Sequence, residues 1–353
     1  MKNLLKLQQK LMPELLEVLE VRYDILRNIK YNQPIGRRLL ATTVDLSERV
    51  VRSETNFLKD QNLIEVNTVG MSVTQEGEEV LKGLKMFMRE VKGLHDLEVD
   101  IKEYLNIKDA IVVPGDVSLD NSLLNEVGKA TASYIKDILK DDIIISLTGG
   151  HTVKEVVNNF QRTYKFKNIK VLPGRGGMGK DIEVQSNTLV ESFANKLGAA
   201  YEVLHVPDNL SHNAFETLLK EEEIKNVFEM IAHSYILIHG IGVAGNMSRK
   251  RNLPLEITQE IENCGGVGEA FGHYFDINGN IIYSMPLIGI SKENIRNVEN
   301  VIAVAAGVEK ANAIIAVERN KSNSILITDE ATAIEILNKL KWWIWSYCLI
   351  LSS

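Results

Sequence analysis

The chain contains only two cysteines, Cys264 and Cys348, and neither has a second cysteine or a histidine at zinc-ligand spacing. This argues against a disulfide framework and against a structural zinc site, and it favours a reducing, cytoplasmic compartment. No other histidine stands at metal-ligand spacing from His151. We expect neither a bound metal nor a cofactor.

Long apolar runs are scarce as well. The first ten residues are amphipathic and charged, so we expect no signal peptide. The apolar run at 342–351 is about half the length that spans a bilayer, so we expect no membrane segment. We assign residues 341–353 to an atypical apolar tail.

An excess of positive charge is also lacking, since the net charge is -7, and this argues against a uniformly basic nucleic-acid-binding surface. The charge is uneven, because residues 21–64 hold eight Lys or Arg against five Asp or Glu. A mildly basic module on an acidic body is compatible with DNA binding at one end. The length of 353 residues predicts two domains.

Residues 1–75 have the pattern of a winged helix-turn-helix. Apolar residues recur at helical spacing over 14–31, and a second short helix follows from Arg37 to about Val44. Ser47 is a good N-cap for a third helix over 48–59. Two short runs, 63–66 and 71–74, then predict a two-stranded wing. Residues 76–95 continue as a linker helix and a plausible dimer contact.

The third helix predicts a DNA-reading face. Its inward positions are Val50, Val51, Thr55 and Leu58. The candidate DNA contacts are the basic and polar residues around its outer face: Arg37, Arg38, Ser47, Arg49, Arg52, Ser53 and Asn56. Arginine suits guanine, asparagine suits adenine, and Arg37 and Arg38 suit phosphates. The alternatives are a solvated basic face or a winged helix used for protein contacts.

Residues 96–340 alternate between strand-like and helix-like segments. This alternation predicts an α/β domain with a mostly parallel, doubly wound sheet. The strand-like runs begin at Ala110, Ile143, Ile169, Ala200, Tyr235, Val301 and Ser324. Ligands of such sheets bind beyond the carboxyl ends of the strands.

Glycine turns with nearby cations follow four of these strands. Gly149 and Gly150 follow the run at 143–147 and precede a helix, which is an arrangement that receives phosphates. The cations near the four turns are Arg175, Lys250, Arg251 and Lys310. Each turn alone is a weak signal, but together they predict a site for a bisphosphate.

Three further polar residues, His151, Gln185 and Glu269, admit both a functional and a structural interpretation. His151 can donate to a phosphate or lie idle at a helix start, and Gln185 can bond a hydroxyl or the backbone. Glu269, in a glycine loop, can accept sugar hydroxyls or stabilise the loop. Asp329 is most simply a first-turn acid of the last helix.

Together these motifs resemble the SorC/DeoR-type sugar-binding transcriptional regulators. The resemblance covers residues 14–340 and is nearest to the branch that represses a glycolytic operon. The motifs that carry it, after the helix-turn-helix pattern and the linker helix, are Thr148-Gly149-Gly150, Pro173-Gly174-Arg175-Gly176-Gly177, His239-Gly240-Ile241-Gly242, Glu269-Ala270-Phe271-Gly272-His273-Tyr274-Phe275 and Ile327-Thr328-Asp329-Glu330-Ala331.

The resemblance implies an effector domain similar to sugar-phosphate isomerases that binds fructose 1,6-bisphosphate, which weakens operator binding. It implies one phosphate at Gly149, Gly150, His151, Thr152 and Lys310. It implies the other phosphate at Arg175, Lys250 and Arg251, and sugar contacts at Gln185 and Glu269. The partners it implies are operator DNA, the phosphosugar and further copies of the chain in a homodimer or homotetramer.

Two positions depart from the family pattern. His151 stands where the family usually has threonine, and Lys250 stands where it usually has arginine. Lysine acts as a point charge and lacks the planar fork of arginine. One alternative is therefore a regulator of a different phosphosugar. The other is a sugar-phosphate isomerase or deaminase, which needs a general base, and Glu269 is the only obvious candidate.

Overall fold

The computed structural model describes residues 10–176, 181–206, 212–285 and 289–351, with the backbone alone at 212, 215 and 343–351. The chain divides into one unit of Met1–Asp96 with Ser118–Ser122 and a second of Leu97–Val117 with Leu123–Ser353. Gly177 of the Pro173–Gly177 motif and the tail side chains beyond Trp342 lie outside the described residues.

The first unit is built from helices and a β-hairpin in the order that the sequence predicts. Its described elements are α1 (Pro13–Asn32), α2 (Arg37–Thr43), α3 (Glu48–Asp60), β1 (Ile64–Val66), β2 (Met71–Val73) and α4 (Gln75–Val91). The Ser47 hydroxyl accepts from the Val50 N–H at 3.3 Å and so begins α3 as its N-cap. β1 and β2 pair antiparallel.

The core of this unit is formed by α1, α2, α3, the hairpin and α4. Val51, Thr55 and Leu58 of α3 are buried, since positions i, i+4 and i+7 share one helix face. The prediction that Val50 also faces inward is wrong, because its side chain is 39% exposed. Val50 precedes Val51 by one residue, which rotates it about 100° away from the buried stripe.

Alternating strands and helices form the second unit. Its helices are α5 (Leu94–Leu105), α6 (Leu123–Ile138), α7 (His151–Asn159), α8 (Ser186–Leu197), α9 (His212–Leu218), α10 (Glu222–Ala232), α11 (Ala244–Lys250), α12 (Leu255–Asn263), α13 (Lys292–Ile295), α14 (Ala311–Glu318) and α15 (Glu330–Leu351). Helix α5 begins in the last residues of the first unit. The backbone of the predicted tail continues α15 through Leu351.

A parallel sheet forms the centre of the second unit. Among the described residues its seven strands are β3 (Asp109–Val113), β4 (Ile144–Leu147), β5 (Lys170–Pro173), β6 (Ala200–Tyr201), β7 (Ile236–Gly240), β12 (Asn300–Val304) and β13 (Ser324–Asp329). All neighbouring pairs are parallel. At its centre both faces are buried, since every residue of β12 and β13 is buried. The predicted parallel α/β sheet is confirmed.

The strand order is β3-β13-β12-β7-β4-β5-β6. After β4 the chain adds β5 and then β6 on one side of that strand. It then returns and adds β7, β12 and β13 on the other side. The boundary between β4 and β7 is therefore a topological switch point. Open sheets of this kind form a crevice at such a point, beyond the carboxyl ends of the strands.

A second, antiparallel sheet accompanies the parallel one. It consists of β8 (Gly242–Val243), β9 (Gly266–Ala270), β10 (His273–Asp276) and β11 (Ile281–Ser284) in the order β11-β10-β9-β8. The interpretation of Glu269 as part of a glycine loop is wrong, because it lies in β9. Gly268 is required there for packing, since a Cβ would lie 3.0 Å from the backbone of Ala313.

Candidate functional site

The turn between β4 and α7 lies at the switch point. Gly150 adopts φ 138° and caps α7 without a side chain, and its N–H donates to the Val184 carbonyl at 2.9 Å. A Cβ on Gly149 would lie 2.5 Å from the same carbonyl oxygen, so only glycine fits. The first N–H groups of α7 have no intrahelical acceptor, and the helix dipole makes this end positive. The turn is therefore suited to an anion.

A cavity of about 200 Å³ opens at this turn. Eight of the predicted ligand residues line it: Gly149, Gly150, His151, Thr152, Arg175, Lys250, Glu269 and Lys310. They come from the ends of β4, β5 and β12 and from β9, α7 and α11. The topology thus brings together residues that are up to 161 positions apart in the sequence, from Gly149 to Lys310.

Three cations give the cavity its positive character. Arg175 is 5% exposed and lies beside Glu269, with Nη1 at 4.0 Å from Oε1. Lys250 is exposed at the end of α11, and Lys310 is half-buried. Burial lowers the pKa of Lys310 from its ordinary value, and the charges of Glu309 and Asp329 oppose that shift.

Arg251 is placed differently from the sequence expectation. Among the residues that the structure describes, it is not part of the cavity wall. Its guanidinium is buried, and Nη2 donates to Glu269 Oε1 at 2.6 Å. The Gly272 N–H donates to the same oxygen at 2.8 Å. Arg251 therefore fixes the carboxylate of Glu269, which lines the cavity, and does not itself face a ligand.

Gln185 also lies off the cavity wall, as far as the described residues define it. It occupies the N-cap position of α8, where its carbonyl accepts from the Leu189 N–H at 3.1 Å. The next residue, Ser186, donates its hydroxyl to the Leu147 carbonyl at 2.6 Å. This segment packs against the turn at Gly149, and the contact of the Gln185 side chain with a sugar stays a prediction.

Asp329 is buried and holds two loops at the carboxyl edge of the sheet. It is the last residue of β13, and its oxygens accept from the N–H groups of Gly307 and Val117, each at 3.0 Å. Gly307 in turn accepts from the Lys310 N–H at 2.9 Å. Asp329 therefore positions the loop that presents Lys310. The prediction that it is a first-turn acid of the last helix is wrong, because Asp329 ends β13 and Glu330 is the acid of the first turn.

A buried polar pair lies behind the cavity wall. His239 precedes the cavity residue Gly240, is inaccessible, and contacts Phe271 with ring centroids 4.4 Å apart and ring planes tilted by 42°. Its Nε2 lies 3.7 Å from Glu318 Oε1. Burial lowers the pKa of His239 from its ordinary value to about 4, although Glu318 opposes the shift. The imidazole is therefore neutral at pH 7.

Further residues line the cavity that the sequence analysis did not assign to the ligand site. They are Thr148, Gly240, Ile241, Gly242, Val243, Asn246, Met247, Phe271 and Glu309. Several belong to the predicted glycine turns, and Glu309 is next to Lys310. Their position in or beside a predicted turn was therefore the sequence feature that could have identified them as cavity residues. Met247 carries no such signal; it is close because β8 leads directly into α11.

The first unit carries a separate candidate surface on α3. Arg49, Arg52, Ser53 and Asn56 are exposed on this helix, as predicted. Arg37 Nη2 donates to Asn56 Oδ1 at 3.3 Å, which joins the start of α2 to the same face. Arg38 lies 3.6 Å from Glu48 in an exposed ion pair. The surface presents guanidinium and amide groups that suit the edges of bases.

Two family models match the chain. A model of the "CggR N-terminal DNA binding domain" matches residues 18–88, and one of the "Putative sugar-binding domain" matches residues 89–338. The central glycolytic genes regulator of Bacillus subtilis is 39% identical, with 96% of this chain and 99% of that protein covered. The chain belongs to the central glycolytic genes regulator family. The Priestia megaterium member is 40% identical over the same shares of both chains.

Solved structures of related proteins agree with this family. A "putative SorC family transcriptional regulator" from Enterococcus faecalis is 33% identical, has a TM-score of 0.64, and covers 69% of this chain and 100% of its own. The full-length sorbitol operon regulator of Klebsiella pneumoniae has a TM-score of 0.64 over 88% of this chain and 96% of its own. At 18% identity that likeness shows the fold alone.

The chain is therefore a DNA-binding transcriptional regulator with a sugar-binding domain. The prediction of a regulator and not an enzyme is confirmed by these relatives. Within the described ranges, no helix is long and apolar enough to cross a membrane. Likewise, no group of three or more His, Cys, Asp or Glu side chains in those ranges is arranged to hold a metal ion.

Proposed function

We propose that the chain represses a glycolytic operon and that fructose 1,6-bisphosphate weakens its binding to the operator. The observation that carries the proposal is the cavity at the switch point, where Arg175, Lys250 and Lys310 meet the N-terminus of α7. Three cations and a helix N-terminus neutralise more than one phosphate. The names of the relatives from Bacillus subtilis and Priestia megaterium support the glycolytic assignment.

The cavity residues fall into two groups that suit two phosphates. One phosphate is bound by the turn from Gly149 to Thr152 together with Lys310. Arg175 and Lys250 bind the other, and Glu269 accepts sugar hydroxyls. This assignment differs from the sequence expectation at Arg251, whose guanidinium is engaged by Glu269 at 2.6 Å and so acts on the sugar only through that carboxylate.

The first unit reads DNA as a winged helix-turn-helix. Helix α3 is the recognition helix, and Arg49, Arg52, Ser53 and Asn56 contact base edges in the major groove. The exposure of all four side chains supports this role. Arg38 and Ser47 lie near the phosphates, and the β1–β2 hairpin is the wing.

The ligand acts by shifting a population of conformations. The protein binds its operator as a homodimer or homotetramer, and the bisphosphate binds best to an arrangement that binds DNA poorly. A ligand shifts such an equilibrium only by its differential affinity for the two arrangements. The likeness of the effector unit to sugar-phosphate isomerases remains an implication of the family resemblance.

The experiment compares DNA release in the wild type and in an Arg175→Ala variant. DNA selected by the protein from a random pool is labelled, and its anisotropy is followed with and without fructose 1,6-bisphosphate. We expect the wild type to release DNA and the variant to bind DNA normally but ignore the ligand. Equal loss of DNA binding and ligand response in the variant would contradict the assignment of Arg175.

A different phosphosugar is the second candidate effector. Lys250 is a point charge in place of a guanidinium fork, and Glu309 adds a carboxylate to the cavity wall. Both features should lower the affinity of the cavity for a second phosphate group. Release by fructose 6-phosphate or glucose 6-phosphate, with no response to the bisphosphate, would favour this alternative.

A further inference from the structure

His151 is the first residue of α7, and its side chain lines the cavity. The side chain is about two-thirds exposed, at 65%, so a ligand in the cavity can reach the ring. Its position places it beside the first N–H groups of the helix, where an anion is expected. Among the described residues that line the cavity, His151 is the histidine, and imidazole is the side chain whose ordinary pKa lies closest to neutral.

Mostly positive groups surround this imidazole. Lys250 from α11, Lys310 from the turn before α14 and Lys154 from α7 itself all disfavour its charged form. The opposing group is Asp181, whose Oδ2 lies 3.9 Å from Nε2. Glu183 is paired with Lys154, and Glu309 is a further acid on the cavity wall. Burial and then Lys250 are the largest causes that lower the pKa of His151.

We propose that His151 recognises phosphate as an imidazolium and takes up a proton when the phosphosugar binds. This inference rests on the proposed function and adds to it a dependence of effector affinity on pH. A dianionic phosphate bound between His151 and Lys310, with the second phosphate beside Lys250, reverses the sign of the local potential. The charged imidazole, unfavourable in the empty site, becomes the favoured form and donates a charge-assisted hydrogen bond.

The ligand has a titration of its own with the opposite sign. A sugar phosphate loses its second proton with a pKa of about 6, so a cationic site that selects the dianion releases protons. Binding to His151 takes protons up. The contribution of His151 is therefore the difference in proton uptake between the wild type and a variant in which only this residue cannot titrate.

The test measures proton linkage by calorimetry at pH 6.5 with fructose 1,6-bisphosphate. Each protein is titrated in two buffers of different ionisation enthalpy, which gives the number of protons exchanged. The proteins are the wild type, His151→Gln, and His233→Gln as a control, because His233 is an exposed histidine outside the cavity wall. Thermal unfolding midpoints establish that each variant is folded.

We expect the wild type and His233→Gln to take up about half a proton more than His151→Gln. Over pH 7.5 to 6.0 the ratio of the His151→Gln Kd to the wild-type Kd should grow about threefold to tenfold. Equal proton uptake in all three proteins, with binding retained, would overturn the inference and leave the proposed function intact. Absence of binding by the wild type would instead overturn the proposed effector, and the inference with it.

Discussion

Replacing Arg251 with alanine is expected to lower the free energy of unfolding by about 3 kcal/mol or more. The guanidinium is 1% exposed and the Glu269 carboxylate 5% exposed, so the variant leaves a buried carboxylate without its nearest cation. Breaking a buried pair in this way costs about 3–5 kcal/mol. The Gly272 N–H and Arg175 remain near the carboxylate, at 2.8 and 4.0 Å, and place the expected loss at the lower end.

Urea unfolding followed by circular dichroism measures this loss. Arg249→Ala is the matched control, because this neighbour pairs with Glu262 at 3.9 Å while both side chains are more than half exposed. An exposed pair of this kind contributes about 0–1 kcal/mol. If the two variants lose stability within about 1 kcal/mol of each other, the reasoning about the buried pair is refuted.

A double variant separates the missing cation from the missing packing. Arg251→Met with Glu269→Gln removes both charges and keeps most of the side-chain volume. Because the double variant removes the buried carboxylate together with its nearest cation, and only the more distant Arg175, at 4.0 Å, loses an acidic neighbour, we expect it to be more stable than Arg251→Ala alone. A double variant less stable than Arg251→Ala would show that the ion pair itself carries the stability.

Three further predictions concern the DNA surface, the glycine turn and the buried histidine. Arg52→Ala should weaken operator binding by about 1–3 kcal/mol in an anisotropy titration and relax base preference, whereas Lys59→Ala on the same helix should leave base preference unchanged. Gly150 has φ 138°, so Gly150→Ala should destabilise the fold by about 1–3 kcal/mol and abolish the ligand response. As a control, Gly83→Ala should stabilise the fold slightly, because Gly83 lies inside α4 with open space around it. Because the folded state lowers the pKa of His239 from 6.5 to about 4, the unfolded chain binds more protons across that interval. The free energy of unfolding should therefore rise with pH from about 4 to 6.5, and His239→Gln should flatten this slope in urea titrations at several pH values; an unchanged slope would contradict it.

The parallel sheet could be predicted because its strands are continuous apolar runs. β12 and β13 are buried on both faces, and such strands stand out in the sequence without any alternating pattern. The turn at Gly149 and Gly150 could be predicted for a related reason, since a strand, two glycines and a helix follow one another directly. Local sequence thus specified the elements and the position of their carboxyl ends.

The antiparallel sheet and the role of Arg251 could not be predicted in the same way. β9 contains Gly266 and Gly268, where close contacts with Ile261 and Ala313 leave no room for a side chain. Because glycine is uncommon inside strands, this segment has the composition of a loop. Arg251 follows Lys250 by one residue, yet the end of α11 directs Lys250 to solvent and Arg251 inward. The different orientations of Lys250 and Arg251 depend on tertiary packing, which cannot be predicted from the pattern of charges in the sequence.

The most direct test of the account is the unfolding midpoint of the protein with and without fructose 1,6-bisphosphate, alongside fructose 6-phosphate, dihydroxyacetone phosphate and glucose 6-phosphate. A ligand that binds the folded state at 100 times its Kd stabilises it by about 2.7 kcal/mol. For a unit of this size we expect a rise of roughly 5–10 °C with the bisphosphate, lost in a Lys310→Ala variant. A rise with the monophosphates alone would exclude the bisphosphate as effector, and no rise with any of the four would contradict the phosphate site at the switch point.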